Sequence, residues 1–282
     1  MPHILILGAD GLLGSNIAHE LANLNDFQVS TTARNNPANF AFDYRPRELI
    51  KLLKEVTPDV VINCIAATSP NASLRNSFMV NSVLPIQLAL LSKQYGYRTI
   101  HFSTNAVFSG NNKKNTENTI TIPRTRYGIS KLLGDLSAFR NLIIRTSFIG
   151  VSPISGGLNG LVVKCKTARL NDVVHIRDNY LWNGLTIEPI VELILVIIRE
   201  AKNSSGIFHI GASSSLTRRE LVNFILVRIG RNDLQIIVEN SVPKRNLTLE
   251  TIKGLEISSW WARTKYQKIP DLIELLSEAK FN

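Results

Sequence analysis

Val- and Ile-rich runs alternate with stretches of helical period through the first half of the chain, the order that strand-helix-strand units of a parallel sheet produce. The apolar run at 3–7 predicts a first strand, and the spacing over 12–24 a first helix. A second strand is expected at 27–32. Pro46 suits the first turn of a helix reaching 55, because the N–H it lacks would be unpaired there in any case. The stretch at 59–66 holds Val60, Val61, Ile62 and Ile65 with little interruption, the mark of a strand covered on both faces. A helix at 82–95, a strand at 99–103, a helix at 126–139 and a strand at 142–146 continue the alternation. Between 150 and 183 the spacing turns irregular and rich in Gly and Asn. A long apolar helix at 187–200 and a strand at 207–210 follow, and Thr217-Arg218-Arg219-Glu220 forms a capping box that opens a helix to about 229. The pattern predicts an α/β fold, a doubly wound parallel sheet over 1–150 that binds a nucleotide, and a smaller C-terminal part over 151–282 that mainly faces substrate. From that part the segment at about 185–212 is expected to return to the first domain.

Composition narrows the function classes. The chain has 282 residues, 44% hydrophobic and 19% charged, enough for one large domain or two small ones with a true core. No uncharged apolar stretch is long enough to span a bilayer. The first strand follows Met1-Pro2-His3 with neither a basic leader nor a cleavage-like site, so a cytoplasmic location and no membrane partner are expected. Cys64 and Cys165 form no CxxC pair, which favours buried reduced thiols. His3, His19, His101, His175 and His209 are scattered, and no metal is predicted. A net charge of +10 raises nucleic acid as a partner, but the Lys and Arg residues are dispersed. They fit either a plain solvated basic surface or one on which some of the charge attracts a small polyanion, such as a nucleotide cofactor or a nucleotide sugar, and no nucleic-acid partner is expected.

The chemistry starts at Gly8-Ala9-Asp10-Gly11-Leu12-Leu13-Gly14, which joins the first strand to the first helix. Glycines permit a tight turn and close backbone approach, so a pyrophosphate can rest on the free N–H groups of the helix start. The GxxGxxG spacing is not the GxGxxG fingerprint, and a tight turn without ligand uses the same residues. Ser30-Thr31-Thr32-Ala33-Arg34 offers no acid for a ribose 2′-hydroxyl. Arg34 either pairs with a 2′-phosphate, which favours NADP(H) over NAD(H), or is an ordinary loop arginine. Tyr127 and Lys131 stand four apart in Tyr127-Gly128-Ile129-Ser130-Lys131, on one face of the helix. An ammonium there favours the ionised phenol and lowers its pKa, which suits proton transfer to a carbonyl, although the same spacing also occurs as a plain surface pair.

Taken together with Val60-Val61-Ile62-Asn63-Cys64-Ile65-Ala66-Ala67, Val80-Asn81-Ser82-Val83-Leu84-Pro85 and Phe102-Ser103-Thr104-Asn105-Ala106-Val107-Phe108-Ser109-Gly110, the chain resembles the extended short-chain dehydrogenases/reductases. Within them it is most similar to the dTDP-4-dehydrorhamnose reductase family, and Ile144-Arg145-Thr146-Ser147-Phe148 and Gly206-Ile207-Phe208-His209-Ile210 also fall in family order. The resemblance implies a Rossmann-type reductase of a keto nucleotide-activated deoxysugar in polysaccharide precursor synthesis, with a homodimer as a compatible assembly. It implies that Thr104 bonds the substrate carbonyl, that Tyr127 passes the proton, and that Lys131 lowers the Tyr127 pKa and holds the nicotinamide ribose. It places Asp43 and Tyr44 at adenine, and Ala66, Ala67 and Thr68 along the cofactor ribose. Asp43 can instead cap the helix at Pro46, and the alanines can be core residues. On the substrate side are Asn105, Phe148 and Trp182, while Lys244 and Arg245 either face a substrate diphosphate or form a solvated surface. Asn105 and Ala106 stand where the family usually has Asp-Tyr, and Phe148 where a Trp is common. Trp182 either stacks on a base or sugar or fills the core. The non-catalytic β subunit of methionine adenosyltransferase resembles the same family, so an NADP-binding regulator is the alternative function.

Overall fold

The computed structural model describes residues 1–33, 39–69, 71–153, 160–176, 180–239 and 244–281. Its strands are β1 (His3–Leu7), β2 (Gln28–Ala33), β3 (Phe40–Ala41), β4 (Val60–Asn63), β5 (Arg98–Thr104), β6 (Asn141–Thr146), β7 (Phe148–Ile149), β8 (Val173–Ile176), β9 (Tyr180–Trp182), β10 (Leu185–Thr186), β11 (Gly206–His209), β12 (Leu216–Thr217), β13 (Gln235–Val238) and β14 (Arg245–Asn246). Its α-helices are α1 (Leu12–Ala22), α2 (Pro46–Val56), α3 (Leu74–Phe78), α4 (Leu84–Tyr95), α5 (Arg126–Gly134), α6 (Gly160–Thr167), α7 (Ile187–Glu200), α8 (Arg218–Arg228), α9 (Gly254–Trp261) and α10 (Leu272–Glu278).

Seven strands form one sheet in the order β3-β2-β1-β4-β5-β6-β11, and every neighbouring pair is parallel. Alternation along β1 shows why both faces need cover. Ile4 and Ile6 join Leu13, Ile17 and Leu21 of α1 and the apolar side of α7, while Leu5 and Leu7 join Leu49, Leu52 and Leu53 of α2 and Leu84 and Leu88 of α4. The strand order reverses between β1 and β4, which opens a crevice beyond the carboxyl ends of the strands.

The structure differs from the sequence reading in places that shape this crevice. The strand expected over 59–66 stops at Asn63, whose Oδ1 accepts the Ile65 N–H at 3.2 Å, so the chain leaves the ladder. The helix expected from 82 starts at Leu74, capped by Ser73, and widens into a π-turn over Met79–Val83 before α4. That turn points Asn81 back to the end of β4, where its amide bonds the Ala67 N–H at 2.9 Å and carbonyl at 3.1 Å. The helix expected over 126–139 tightens to a 3-10 turn at Asp135–Phe139. The irregular region contains α6, β8 and β9.

The capping box at Thr217 is present in both directions and opens α8. Beyond it α9 and α10, which carry no marked apolar period, bury Trp260, Trp261, Leu272, Leu275 and Leu276 in the same cluster that holds Ile4 and Ile6. Among the described residues no helix is long and apolar enough to cross a membrane.

Candidate active site

The glycine turn is built by close contacts. Gly8, at φ +84°, and Ala9 both donate to the Thr32 carbonyl, at 3.2 and 2.8 Å, which ties the turn to β2. A Cβ on Gly14 would lie 2.2 Å from the Gly8 carbonyl oxygen, so only hydrogen lets the helix start fold over the turn. Leu12, Leu13 and Gly14 form the first turn of α1, where helix geometry leaves N–H groups free for an anion. A cleft of about 170 Å³ opens beside them, lined by Gly8, Asp10, Gly11, Thr32, Ala33, Phe42, Tyr44, Cys64, Ile65 and Ala66. Its cradle of glycine backbone beside Phe42, Tyr44 and Ile65 suits the pyrophosphate and adenosine end of a dinucleotide. A Gly14→Ala substitution is expected to cost about 1–3 kcal/mol through overpacking and to weaken nucleotide binding. Thermal denaturation and NADPH titration check it, and an unchanged melting temperature would contradict the packing argument.

Gly8, Gly11, Tyr44 and Ala66 of the expected cofactor residues line this cleft. Ala67 is clamped by Asn81 beside it, and Thr68 is exposed further along the same loop. Asp43 lies between two lining residues and is bound to Arg45, which holds its carboxyl below the usual range. The helix cap at α2 is Arg45 rather than Asp43, without a side-chain bond. Arg34 falls outside the described residues. Thr32, Phe42, Cys64 and Ile65 line the cleft too, with no cofactor role expected of them from the sequence.

Thr104, Tyr127 and Lys131 come together at the carboxyl end of β5. Thr104 is its last residue, 7% exposed, and its Oγ1 accepts the Ala106 N–H at 3.2 Å. Thr125 caps α5, which places Tyr127 one turn before Lys131. Gly128 lets α5 approach: a Cβ there would lie 2.3 Å from the Ala106 carbonyl oxygen. The Tyr127 hydroxyl thereby faces the Thr104 side chain. Ser130 donates to the Tyr127 carbonyl at 2.9 Å and accepts from Asn81 at 3.0 Å, joining the helix to the β4 loop.

One electrostatic expectation is overturned. Lys131 does not draw the Tyr127 phenol down; burial pushes it up to about 12, against which the neighbouring Thr104 hydroxyl is the smaller effect. Lys131 is 1% exposed, and burial brings it down to about 8. Its Nζ donates to the Phe102 carbonyl at 2.5 Å and stands 3.1 Å from His101 Nε2. The resting phenol therefore keeps its proton, which is the form a general acid needs.

Below this trio lies an ion pair that the sequence did not mark. Arg145 Nε meets Asp135 at 2.8 Å with both side chains nearly inaccessible, and Arg145 also reaches His209 Nε2 at 3.3 Å. His209 Nδ1 faces the carbonyls of Asn115 and Glu250 at 3.1 and 2.9 Å.

The substrate-side residues divide. Asn105, 8% exposed, donates to the Leu247 carbonyl at 3.0 Å, and Arg245 lies against Gly110 with its Nε on the Ser109 carbonyl at 2.8 Å. Phe148 is half-buried on β7, and Lys244 is exposed. Trp182 is not available for stacking: it is 5% exposed, its Nε1 donates to Ser147 at 2.7 Å, and Gly184 lies against its ring. It is corrected to a core residue. The chain from Arg245 to Ile252 forms a strap held by the amides of Asn105, Asn115 and Asn183 and by the Glu117 carboxylate. Among the described residues no group of three or more His, Cys, Asp or Glu could hold a metal ion.

Residues 2–246 match the family described as the RmlD substrate binding domain. A dTDP-4-dehydrorhamnose reductase of Burkholderia thailandensis is 34% identical over 154 residues, 52% of this chain and 50% of that protein. The match thus spans about half the length of that relative. The spore coat polysaccharide biosynthesis protein SpsK of Bacillus subtilis is 25% identical over 82% of this chain and 80% of its own. Among solved structures, a dTDP-4-dehydrorhamnose reductase of Bacillus anthracis in complex with NADP superposes with a TM-score of 0.80 at 17% identity, covering 99% of this chain and 98% of that one.

Proposed function

The chain belongs to the RmlD substrate binding domain family, and on that footing we propose that it is an NADPH-dependent reductase of a keto nucleotide-activated deoxysugar in polysaccharide precursor synthesis. The observation that carries the reading is the meeting of Thr104, Tyr127 and Lys131 at the end of β5, next to the glycine-turn cleft. Gly8, Gly11 and Gly14 with the first turn of α1 would hold the pyrophosphate, Tyr44 and Ala66 the adenosine side, and Lys131 the nicotinamide ribose. The reduced nicotinamide, when bound, supplies the hydride. Tyr127 gives its phenolic proton to the substrate oxygen, and Thr104, whose side chain faces Tyr127, orients that oxygen. NADPH is preferred on the grounds that β2 ends in Thr32-Ala33 without an acid, with Arg34 next in the chain.

NADPH oxidation followed across a panel of 4-keto nucleotide sugars, with NADH in parallel, tests the reading. Turnover of at least one sugar, faster with NADPH, is expected. Tight NADPH binding with no turnover of any sugar would overturn it in favour of a regulator.

A homodimer is proposed with it, because Ile129, Leu133 and Leu136 lie exposed at i, i+4 and i+7 on α5 and its extension. Sedimentation showing only monomer at every concentration would overturn that part.

A further inference from the structure

Tyr44 has φ +56°, in the left-handed region that a bulky side chain rarely enters. It follows β3 at the rim of the glycine-turn cleft, and its neighbours Asp43 and Arg45 pair with each other around it. The Tyr44 ring packs on the cluster that holds Phe42 and Leu49, while its hydroxyl donates to Asn76 Oδ1 at 2.6 Å. Asn76 stands on α3, in the segment that follows β4, so this bond crosses the crevice opened where the strand order reverses. The two walls are tied together by it. Phe42 and Tyr44 line the cleft from the β3 side and Ile65 and Ala66 from the β4 side, and the space among them and the glycine turn is about 170 Å³. Pockets that hold small molecules enclose about 300–1,000 Å³, so a nucleotide needs more room than the resting cleft has. Much of the lining cannot yield it. Gly8 is bonded to Thr32, which is 1% exposed, and Phe42 is 5% exposed. Tyr44 is half-buried, sits on a strained backbone and is held to the opposite wall by its hydroxyl.

We propose that Tyr44 and Asn76 form a latch across the cleft, which opens to admit the adenosine end of the dinucleotide and closes again over it, so that this hydrogen bond sets how fast the cofactor enters and leaves. Asn76 is thereby a positioning residue that acts through Tyr44. The proposal rests on the reading that the cleft takes a nicotinamide dinucleotide, and on nothing about the sugar. A latch shut in both the free and the loaded protein slows entry and exit alike. It leaves the affinity where it was, because it favours neither state.

Stopped-flow measurement of NADPH binding and release, followed by nucleotide fluorescence in the whole protein, reads both rates. Asn76→Ala is expected to speed entry and exit together by about 2- to 10-fold, the usual worth of one hydrogen bond, with their ratio near the wild-type value. Tyr44→Phe keeps the ring and loses the donor, and it is expected to release NADPH faster to the same extent. The double variant should be no faster than either single one, because both remove the same bond. Asn76→Asp keeps an acceptor oxygen for the hydroxyl and is expected to exchange as slowly as wild type. Unmoved rates in Asn76→Ala, additive gains in the double variant, or a weaker Kd with unchanged entry would each overturn the latch. A protein that binds neither NADPH nor NADH would overturn the cofactor reading and the latch with it, whereas tight binding with unmoved exchange rates overturns the latch alone.

Discussion

Replacement of Tyr127 by Phe is expected to lower kcat on the accepted keto sugar by about 10²- to 10⁴-fold, the usual worth of a positioned general acid, while NADPH affinity stays near wild type. The substitution keeps the ring and removes one hydroxyl, which faces Thr104. The direction follows from burial. A phenol at about 12 is fully protonated at neutral pH and can give a proton to an oxygen that becomes basic as its carbon is reduced. Steady-state kinetics with NADPH titration in parallel check the split. Turnover close to wild type would remove Tyr127 from the reaction.

Arg145→Met is expected to destabilise the protein by about 3–5 kcal/mol, because it strands the Asp135 carboxylate in the interior. Asp135 is 5% exposed, and the guanidinium is the largest influence opposing the rise that burial imposes on its pKa. The double variant Arg145→Met with Asp135→Leu should recover much of that loss, since no stranded carboxylate then remains. Urea unfolding of the three proteins checks both statements. A single variant as stable as wild type would mean that Asp135 is already protonated in the fold.

The parts of this molecule legible in the sequence are those set by local pattern. β1 and β4 bury nearly every side chain and α7 nine of its fourteen, and their apolar runs show it. Gly8 and Gly14 have backbone roles that no other residue fills, and Thr104, Tyr127 and Lys131 stand in fixed order on a strand end and a helix face. What stayed hidden depends on contacts far apart in the chain. Asn81 acts through a π-turn, and Arg145 meets Asp135 across two elements. The helices α9 and α10 have 8 and 7 residues, too short for a period to stand out. The spacing of Tyr127 and Lys131 correctly put them on one face, but the sign of the pKa shift was decided by burial, which spacing does not report. The departure at Asn105 has a physical account: its NH₂ donates to the Leu247 carbonyl, which an ionised aspartate, an acceptor only, could not do.

The strap at Arg245 to Ile252 bears on how the molecule is made. Its bonds to Asn105 and Asn115 join residues 131 to 142 positions apart in the chain. Such distant pairings close late, after local elements have formed. As a ribosome emits the polypeptide, the glycine turn and the Tyr127 helix are complete well before the strap emerges. A nascent chain could therefore hold its nucleotide first and acquire the wall beside Asn105 only near the end of synthesis.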